Sequence, residues 1–260
     1  MRICRKNKCL NRHVKDFMEH VDDVKEESIT DYLMWKWAKM DPNCRYFSTK
    51  THSRVHESKV TGSDFELEVW LVTANGGLPL SVQAKKFIPL TDGYYAKLRY
   101  PNNTKSQMNK LIRHARSQKM NPCYAFYTIP DSNSVTKNKE PNVEDYGVFI
   151  ANAFSVEAML KPVKTKSKTA KRPTRAPIIT RNDLLAESYP LHALFCCQSA
   201  TKPISPLLDD FNNFTDDLPK YILPLLEHQE ITQELIDSYV NEVEYRSKYV
   251  AVVDMREKFT

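Results

Sequence analysis

The sequence predicts an α/β fold in which a central mixed β-sheet is flanked by helices, with a mainly helical C-terminal region. Two extended segments, DFELEVWLV and LPLSVQAKKF, are joined by Asn75-Gly76-Gly77. An Asn-Gly pair favours the tight turn of a β-hairpin, because both central positions of that turn need positive φ. An amphipathic helical segment and two further apolar segments follow. A hairpin, a helix and more strands in this order are typical of a sheet covered by helices.

The composition describes a globular protein that carries excess positive charge. Of its 260 residues, 41% are hydrophobic and 10% aromatic, so a core can form without disulfides. The formal net charge of +6 is compatible with a polyanionic partner. No apolar run approaches the roughly 20 residues of a membrane span, and the first residues lack the apolar segment of a secretory signal. We therefore expect no membrane partner and a cytoplasmic location.

The N-terminal part of the chain predicts helices. Apolar residues recur at spacings near three and four between 14 and 40, which indicates one or two helices. Ser28 or Thr30 could cap the second helix. Residues 41–59 are polar, so we expect a loop there, with a short strand at Tyr46 and Phe47.

The remaining elements follow from periodicity and turn residues. SQMNKLIRHARSQ predicts an amphipathic helix, PCYAFYTI a third strand and GVFIANAF a fourth. In the C-terminal region, DLLAESYPLHALF, YILPLLE and TQELIDSYVNEV predict helices, and YVAVVDM predicts a strand that returns to the main sheet. We therefore divide the chain into a core at 1–160, a basic flexible loop or linker at 161–178, and a C-terminal region at 179–260 that packs on the core.

Basic residues suggest where nucleic acid would bind. The segment 161–178 is rich in lysine and arginine with almost no apolar residue, so it is predicted to be mobile. It could contact a phosphate backbone or serve as an inert linker. Other basic residues near the hairpin would line a nucleic-acid path. The candidates are Lys86, Lys105, Lys110, Arg113, Lys166, Lys168, Lys171 and Arg172.

The six cysteines form no CxxC pair. Cys4 and Cys9 lie near His13 and leave a zinc site open, although reduced thiols are the simpler interpretation. Cys196 and Cys197 follow the apolar LHALF and are predicted to be core residues.

The candidate catalytic residues lie on the two strands of the predicted hairpin. Strict alternation from Asp64 onwards places three acidic residues on one face of the first strand: Asp64, Glu66 and Glu68. A solvated strand face would give the same pattern. On the second strand, Gln83 and Lys85 share a face. If Asp64 lies on that face, a carboxylate, an amide oxygen and an ammonium converge.

Such a convergence suits phosphodiester hydrolysis. Carboxylate and amide oxygens can hold Mg²⁺ or Mn²⁺, which polarises a phosphate and activates water. Lys85 can orient the water or stabilise the developing negative charge. One carboxylate would hold the metal weakly, so a second acid is expected. The candidates for it are Glu66, Glu68, Glu26 and Glu27.

The pattern of an acid or Gln, any residue and Lys occurs three times, also at Asp23–Lys25 and Glu57–Lys59. Only the match at Gln83–Lys85 lies in a strand paired with a strand that begins Gly-x-Asp. This context, and not the motif alone, singles out Gln83–Lys85.

Three segments resemble the Mrr-like branch of the PD-(D/E)XK restriction-endonuclease superfamily: TGSDFELEVWL, LSVQAKKF and VKEESITDYLMWKW. In that branch a Gly-x-Asp strand is followed by Gln-x-Lys, and a glutamate of the N-terminal helix contributes to the metal site. The resemblance covers about residues 20 to 130. It implies a restriction-endonuclease-like core, with Asp64 as the metal-binding aspartate, Gln83 at the Glu position and Lys85 as the catalytic lysine. Glu26 or Glu27 would be the helix glutamate.

The resemblance thus implies a metal-dependent nuclease that uses Mg²⁺ or Mn²⁺, with DNA as the favoured substrate. Similar proteins are commonly restriction enzymes, repair nucleases or effectors of defence against invading DNA. Cutting both strands often requires a homodimer, and an activating partner protein is compatible with the small size. Two alternatives stay open: a non-catalytic nucleic-acid-binding module on the same fold, and an interaction subunit whose basic loop contacts a partner.

Overall fold

The computed structural model describes residues 3–41, 47–51, 67–73, 76–87, 103–160, 179–196, 210–211, 213–227 and 249–256. The strands are β1 (Phe47–Thr51), β2 (Leu67–Thr73), β3 (Gly76–Lys86), β4 (Asn121–Tyr127), β5 (Val148–Asn152), β6 (Tyr189–Pro190) and β7 (Tyr249–Asp254). The helices are α1 (Ile3–His20), α2 (Glu26–Met40), α3 (Asn103–Ser117), α4 (Ala153–Leu160), α5 (Arg181–Ala186) and α6 (Leu223–Leu226), with 3₁₀ helices at Val143–Asp145 and Leu191–Phe195. Among these described helices, none combines the length and the apolar character that crossing a bilayer would need.

The described strands form one seven-stranded mixed sheet in the order β1-β7-β2-β3-β4-β5-β6. Strands β2 and β3 pair antiparallel, whereas β3 and β4 pair parallel, with α3 in the connection between them. Strand β7 lies between β1 and β2, antiparallel to the first and parallel to the second. The predicted strand at YVAVVDM is therefore confirmed, and the C-terminal region contributes an interior strand to the sheet.

Helices cover both faces of the sheet, as predicted. In β2, Leu67, Val69 and Leu71 join the core that α1 and α2 cover. The alternate residues Trp70 and Val72 pack with residues of α6 instead. A third cluster joins α3, α4 and α5 to the neighbouring strands. The period-2 pattern of this strand thus corresponds to two buried faces.

The predicted hairpin is confirmed, but Gly76 of the Asn-Gly pair belongs to a strand. Thr73 and Gly76 pair as the ends of β2 and β3, and residues 74–75 lie outside the described residues. Gly76 has φ of +114°, and a Cβ atom there would lie 2.7 Å from the carbonyl oxygen of Thr215. Glycine is therefore needed at the first strand residue rather than within the turn.

The capping prediction for the second helix was wrong. Helix α2 begins at Glu26, and Lys25 occupies the cap position without a side-chain hydrogen bond. Ser28 and Thr30 lie inside the helix, where the hydroxyl of Thr30 donates to the carbonyl oxygen of Glu26 at 3.1 Å. A hydroxyl bonded within its own helix cannot satisfy the free N–H groups at the start.

The prediction of one helix through DLLAESYPLHALF was also wrong. Helix α5 begins earlier, where Thr180 and Asp183 form a reciprocal capping box, and ends at Ala186. Strand β6 and the 3₁₀ helix Leu191–Phe195 follow. Proline has no N–H and keeps the preceding residue extended, so Pro190 interrupts the helix that the apolar spacing suggests.

The prediction of reduced thiols was wrong for two cysteines. Cys4 of α1 and Cys196, just after the 3₁₀ helix Leu191–Phe195, form a disulfide. Cys4 is therefore unable to join a zinc site with Cys9 and His13, whose side chains approach to 4.0 Å on α1. Cys197 lies outside the described residues. Disulfides are typical of oxidising compartments, so the cytoplasmic location stays a prediction.

His114 makes stability depend on pH. It lies on α3, and burial lowers the pKa of its imidazole from 6.5 to about 4. The unfolded chain takes up this proton at a higher pH than the folded protein, so stability present above pH 6.5 is lost as the pH falls toward 4. We expect the free energy of unfolding in urea to decrease over this window, and to decrease less in His114→Gln. Equal pH dependence in both proteins would contradict this assignment. His192, whose pKa burial also lowers, adds the same trend to both.

Candidate functional site

The candidate site lies where two parallel strands end together. Lys86 is the last residue of β3 and pairs with Tyr127, the last residue of β4. The backbone N–H of Phe87 donates to the carbonyl oxygen of Tyr127 at 2.9 Å and continues this pairing. The carboxyl ends of parallel strands are common ligand-binding positions in α/β proteins. The start of α2 lies against this end of the sheet.

Glu26 connects α2 to the Gln-x-Lys strand. Its Oε1 accepts a hydrogen bond from the backbone N–H of Lys86 at 2.8 Å. Its Oε2 lies 3.8 Å from Nζ of Lys85, and both side chains are largely buried, with exposed fractions of 23% for Glu26 and 15% for Lys85. Of the two predicted helix glutamates, Glu26 therefore has these contacts with β3. The sequence alone does not show which of Glu26 and Glu27 faces the strand, because two adjacent residues of a helix differ only in the direction in which their side chains point.

Two further contacts hold the start of α2 at the strand ends. The ammonium of Lys86 donates to the carbonyl oxygen of Val24 at 2.9 Å. The hydroxyls of Thr30 and Tyr127 lie 2.6 Å apart, and the hydroxyl of Thr30 also bonds the first turn of its helix. Burial raises the pKa of the Tyr127 hydroxyl, so it stays protonated at neutral pH. These contacts fix the position of the Glu26 carboxylate relative to Lys85.

Gln83 is a buried polar residue on the same strand face as Lys85. Its side chain is 2% exposed, and within the described part of the chain its Oε1 has no hydrogen-bond partner. A buried carbonyl oxygen without a partner costs about 1–3 kcal/mol. A ligand that binds this oxygen would remove that cost.

Tyr124 is a neighbour of Gln83 that the sequence did not reveal. It pairs with Gln83 across β3 and β4, and its hydroxyl is also buried without a partner among the described residues. Burial raises the pKa of this hydroxyl. The two residues meet through the pairing register of β3 and β4. Because α3 separates these strands in the sequence, no local sequence pattern reveals the contact.

The predicted acids of the first strand have different outcomes. Asp64 and Glu66 lie outside the described residues. Glu68 is only 7% exposed and accepts hydrogen bonds from the indole of Trp70 and the hydroxyl of Tyr221. It pairs with Ser81, four residues and about 13 Å along the strand from Lys85. Glu68 is therefore neither part of a solvated face nor close to the candidate site.

The predicted nucleic-acid-binding residues are only partly described. The ammonium of Lys86 is held by Val24, as noted above, whereas Lys110 and Arg113 are exposed on α3. Lys105 belongs to the first turns of that helix, but its side chain is outside the described part of the structure. The whole basic segment, which contains Lys166, Lys168, Lys171 and Arg172, also lies outside the described residues.

The atoms that could bind a metal ion at this end of the sheet are oxygens, the ligand type that Mg²⁺ prefers. Glu26 offers a carboxylate and Gln83 an amide oxygen. No group of three or more His, Cys, Asp or Glu suited to a metal is found in the described ranges. A magnesium site here therefore fits the buried Gln83 oxygen but requires a further carboxylate, for which Asp64 is the predicted source.

A family model described as a family of unknown function, DUF6615, matches residues 3–258. This match spans nearly all of the chain and includes every described residue. No curated protein matches the chain, and no solved structure matches it. The function of the chain is therefore inferred from the arrangement of Glu26, Gln83 and Lys85.

Proposed function

The chain belongs to the DUF6615 family of unknown function, and we propose that it is a metal-dependent nuclease that hydrolyses phosphodiester bonds in DNA. The observation that carries the proposal is the arrangement around the end of β3. There the carboxylate of Glu26 lies 3.8 Å from the ammonium of Lys85. On the same strand face, the buried oxygen of Gln83 has no partner within the described residues. An acid, an amide oxygen and an ammonium are the groups that such hydrolysis uses.

Each residue has a defined role in this proposal. Glu26, Gln83 and Asp64 would hold Mg²⁺ or Mn²⁺ through oxygen atoms. The bound metal would supply Lewis-acid polarisation of the phosphate and a water of lowered pKa. Lys85 donates hydrogen bonds to the phosphate oxygens, where negative charge develops. Its pairing with Glu26 keeps the ammonium at the strand end before substrate binds.

The hairpin supports the inclusion of Asp64, which itself lies outside the described residues. At the end of the described pairing, Leu67 of β2 pairs with Val82 of β3. Leu67 is three residues after Asp64 in the sequence, and Val82 is three residues before Lys85. The described part of the hairpin therefore ends equally far along the chain from Asp64 and from Lys85.

The order of elements supports a restriction-endonuclease-like core as part of the same proposal. Helix α2 contributes the glutamate, the β2–β3 hairpin carries Gln-x-Lys, and α3 leads to the parallel strand β4. The N-terminal helix and the hairpin are the elements on which the resembled family has its site residues.

A non-catalytic nucleic-acid-binding module is the second candidate. The observation in its favour is Gln83, because a neutral amide binds a divalent cation less strongly than a carboxylate does. On this alternative the positive charge of the protein would serve binding alone.

The test is cleavage of supercoiled plasmid by the purified protein. We expect Mg²⁺ or Mn²⁺ to support nicking or linearisation and EDTA to abolish it, because the substrate phosphate needs the metal. Asp64→Ala is expected to remove this activity while the protein stays folded. Glu144→Gln changes an exposed carboxylate on the 3₁₀ helix Val143–Asp145 and is the matched control, expected to keep full activity.

Two outcomes would contradict the proposal. Cleavage that survives in Asp64→Ala would show that the chemistry lies elsewhere. A wild-type protein that binds plasmid but cleaves it with neither metal would favour the binding module.

A further inference from the structure

The solvent-facing side of α2 carries an exposed tryptophan beside two lysines. Trp35 is 53% exposed, whereas the other tryptophans, Trp37 and Trp70, are 0% and 3% exposed. Nζ of Lys36 lies 5.0 Å from the centre of the Trp35 ring, and Nζ of Lys39 lies 5.1 Å from it. We call Trp35, Lys36 and Lys39 the Trp35 surface. An indole exposed to this degree contributes little to the core and is available to a partner.

The Trp35 surface is anchored by neighbouring aromatic rings. The ring of Tyr32 lies 5.9 Å from that of Trp35, and Phe17 of α1 stacks on Tyr32 at 4.6 Å with an interplanar angle of 1°. Phe17 and Tyr32 are partly buried against the core of α1 and α2. A ring that packs against a partly buried neighbour loses little conformational entropy when a partner binds it.

Among the described residues, no carboxylate pairs with the ammonium groups of the two lysines. Within the described residues, neither Lys36 nor Lys39 has an ion-pair partner, whereas Lys8, Lys15 and Lys137 each pair with an acidic side chain. Two unpaired ammonium groups beside an exposed ring form a surface that is both apolar and positive. Such a surface is complementary to a partner with flat rings and negative charge.

We propose that the Trp35 surface binds single-stranded nucleic acid, with a base stacked on the indole and the flanking phosphates beside Lys36 and Lys39. Every base has a face that can stack on an aromatic ring, so such binding tolerates different sequences. The incoming base displaces an ammonium group from the ring, and the adjacent phosphate takes up its charge. Bases of a duplex are already stacked on one another, which is why the unpaired strand is the ligand.

This binding surface is distinct from the proposed cleavage site. Glu26 and Trp35 are nine residues apart on α2, which corresponds to about 14 Å of axial rise and about two and a half turns. The two side chains therefore leave the helix on opposite sides. Binding at Trp35 does not require cleavage, so the two proposals can fail independently.

The test measures binding of a fluorescein-labelled oligothymidylate by anisotropy, in EDTA so that no metal-dependent cleavage occurs. Trp35→Ala is expected to weaken binding about 5- to 150-fold, since one stacked base contributes that much. Oligonucleotide is also expected to quench the intrinsic fluorescence of the wild type, because Trp35 is the exposed tryptophan. Phe214→Ala removes another exposed aromatic ring and is the matched control, expected to bind as the wild type does.

The lysines are tested through salt dependence. In the double variant Lys36→Ala with Lys39→Ala, the slope of log K against log salt is expected to become less steep by roughly 1.4, because two phosphate contacts are lost. Unchanged affinity in Trp35→Ala, or absence of salt-dependent binding by the wild type, would overturn the proposal. Self-association of the protein that Trp35→Ala abolishes, without oligonucleotide binding, would also overturn it and identify a protein interface.

Discussion

Replacing Lys85 with alanine is expected to lower the rate of metal-dependent plasmid cleavage by about 10²- to 10³-fold, the usual loss when one charge-stabilising donor is removed. The ammonium lies 3.8 Å from the carboxylate of Glu26 and belongs to the strand whose Gln83 oxygen lacks a partner among the described residues. The ammonium of the adjacent Lys86 donates to the carbonyl oxygen of Val24 instead. The measurement is the initial rate of plasmid nicking at saturating Mg²⁺ or Mn²⁺.

The neighbouring glutamates provide the decisive comparison for this prediction. Glu26→Gln is expected to slow cleavage by a similar factor, since an amide replaces the carboxylate that contacts β3. Thermal unfolding of each variant separates a lost function from a lost fold. A protein that needs Glu27 and not Glu26, or that cleaves at an unchanged rate without Lys85, would contradict the assignment.

Removing the disulfide is expected to lower the free energy of unfolding by about 2–5 kcal/mol. Cys4 and Cys196 are separated by 192 residues, so the bond closes most of the chain into one loop. A loop of this length reduces the entropy of the unfolded state by an amount worth about 5 kcal/mol in the chain-entropy model. The bond also ties α1 to the segment that follows the 3₁₀ helix Leu191–Phe195, across a shared core.

Guanidinium denaturation of the wild type and of the double variant Cys4→Ser with Cys196→Ser measures this effect. The same decrease is expected when the wild type is unfolded in the presence of a reducing agent. Cys9→Ser, which changes an exposed free thiol, is the control and should leave the midpoint unchanged. Equal midpoints for the double variant and the wild type would show that the two cysteines are not bonded in solution.

The strands were the most predictable part of the fold. The hairpin, the strands at β4 and β5, and the late strand β7 all follow from apolar runs bounded by turn residues. The pairing of β7 between β1 and β2 was not predictable, because the paired residues are about 180 to 205 positions apart in the sequence and no local pattern reveals their contact. Pro190 favours a break in the helix because it has no N–H, whereas the apolar spacing around it favours a continuous helix.

The candidate site was predictable in type and less so in membership. Period-2 alternation places Gln83 and Lys85 on one strand face without any knowledge of the fold. The same alternation made Glu68 a candidate, although Trp70 and Tyr221 occupy its carboxylate. The contact between Glu68 and Tyr221 joins residues that are far apart in the sequence, so the alternation of polar and apolar residues along β2 does not reveal it.

The α/β class, the hairpin and the shared strand face of Gln83 and Lys85 follow from the sequence alone, because they depend on backbone periods of two and 3.6 residues. Three contacts depend instead on tertiary packing: that of Glu26 with Lys85, that of Tyr124 with Gln83, and the disulfide between Cys4 and Cys196. Each of these contacts joins segments that are far apart in sequence. Their geometry depends on how helices and strands pack, which local preferences do not specify.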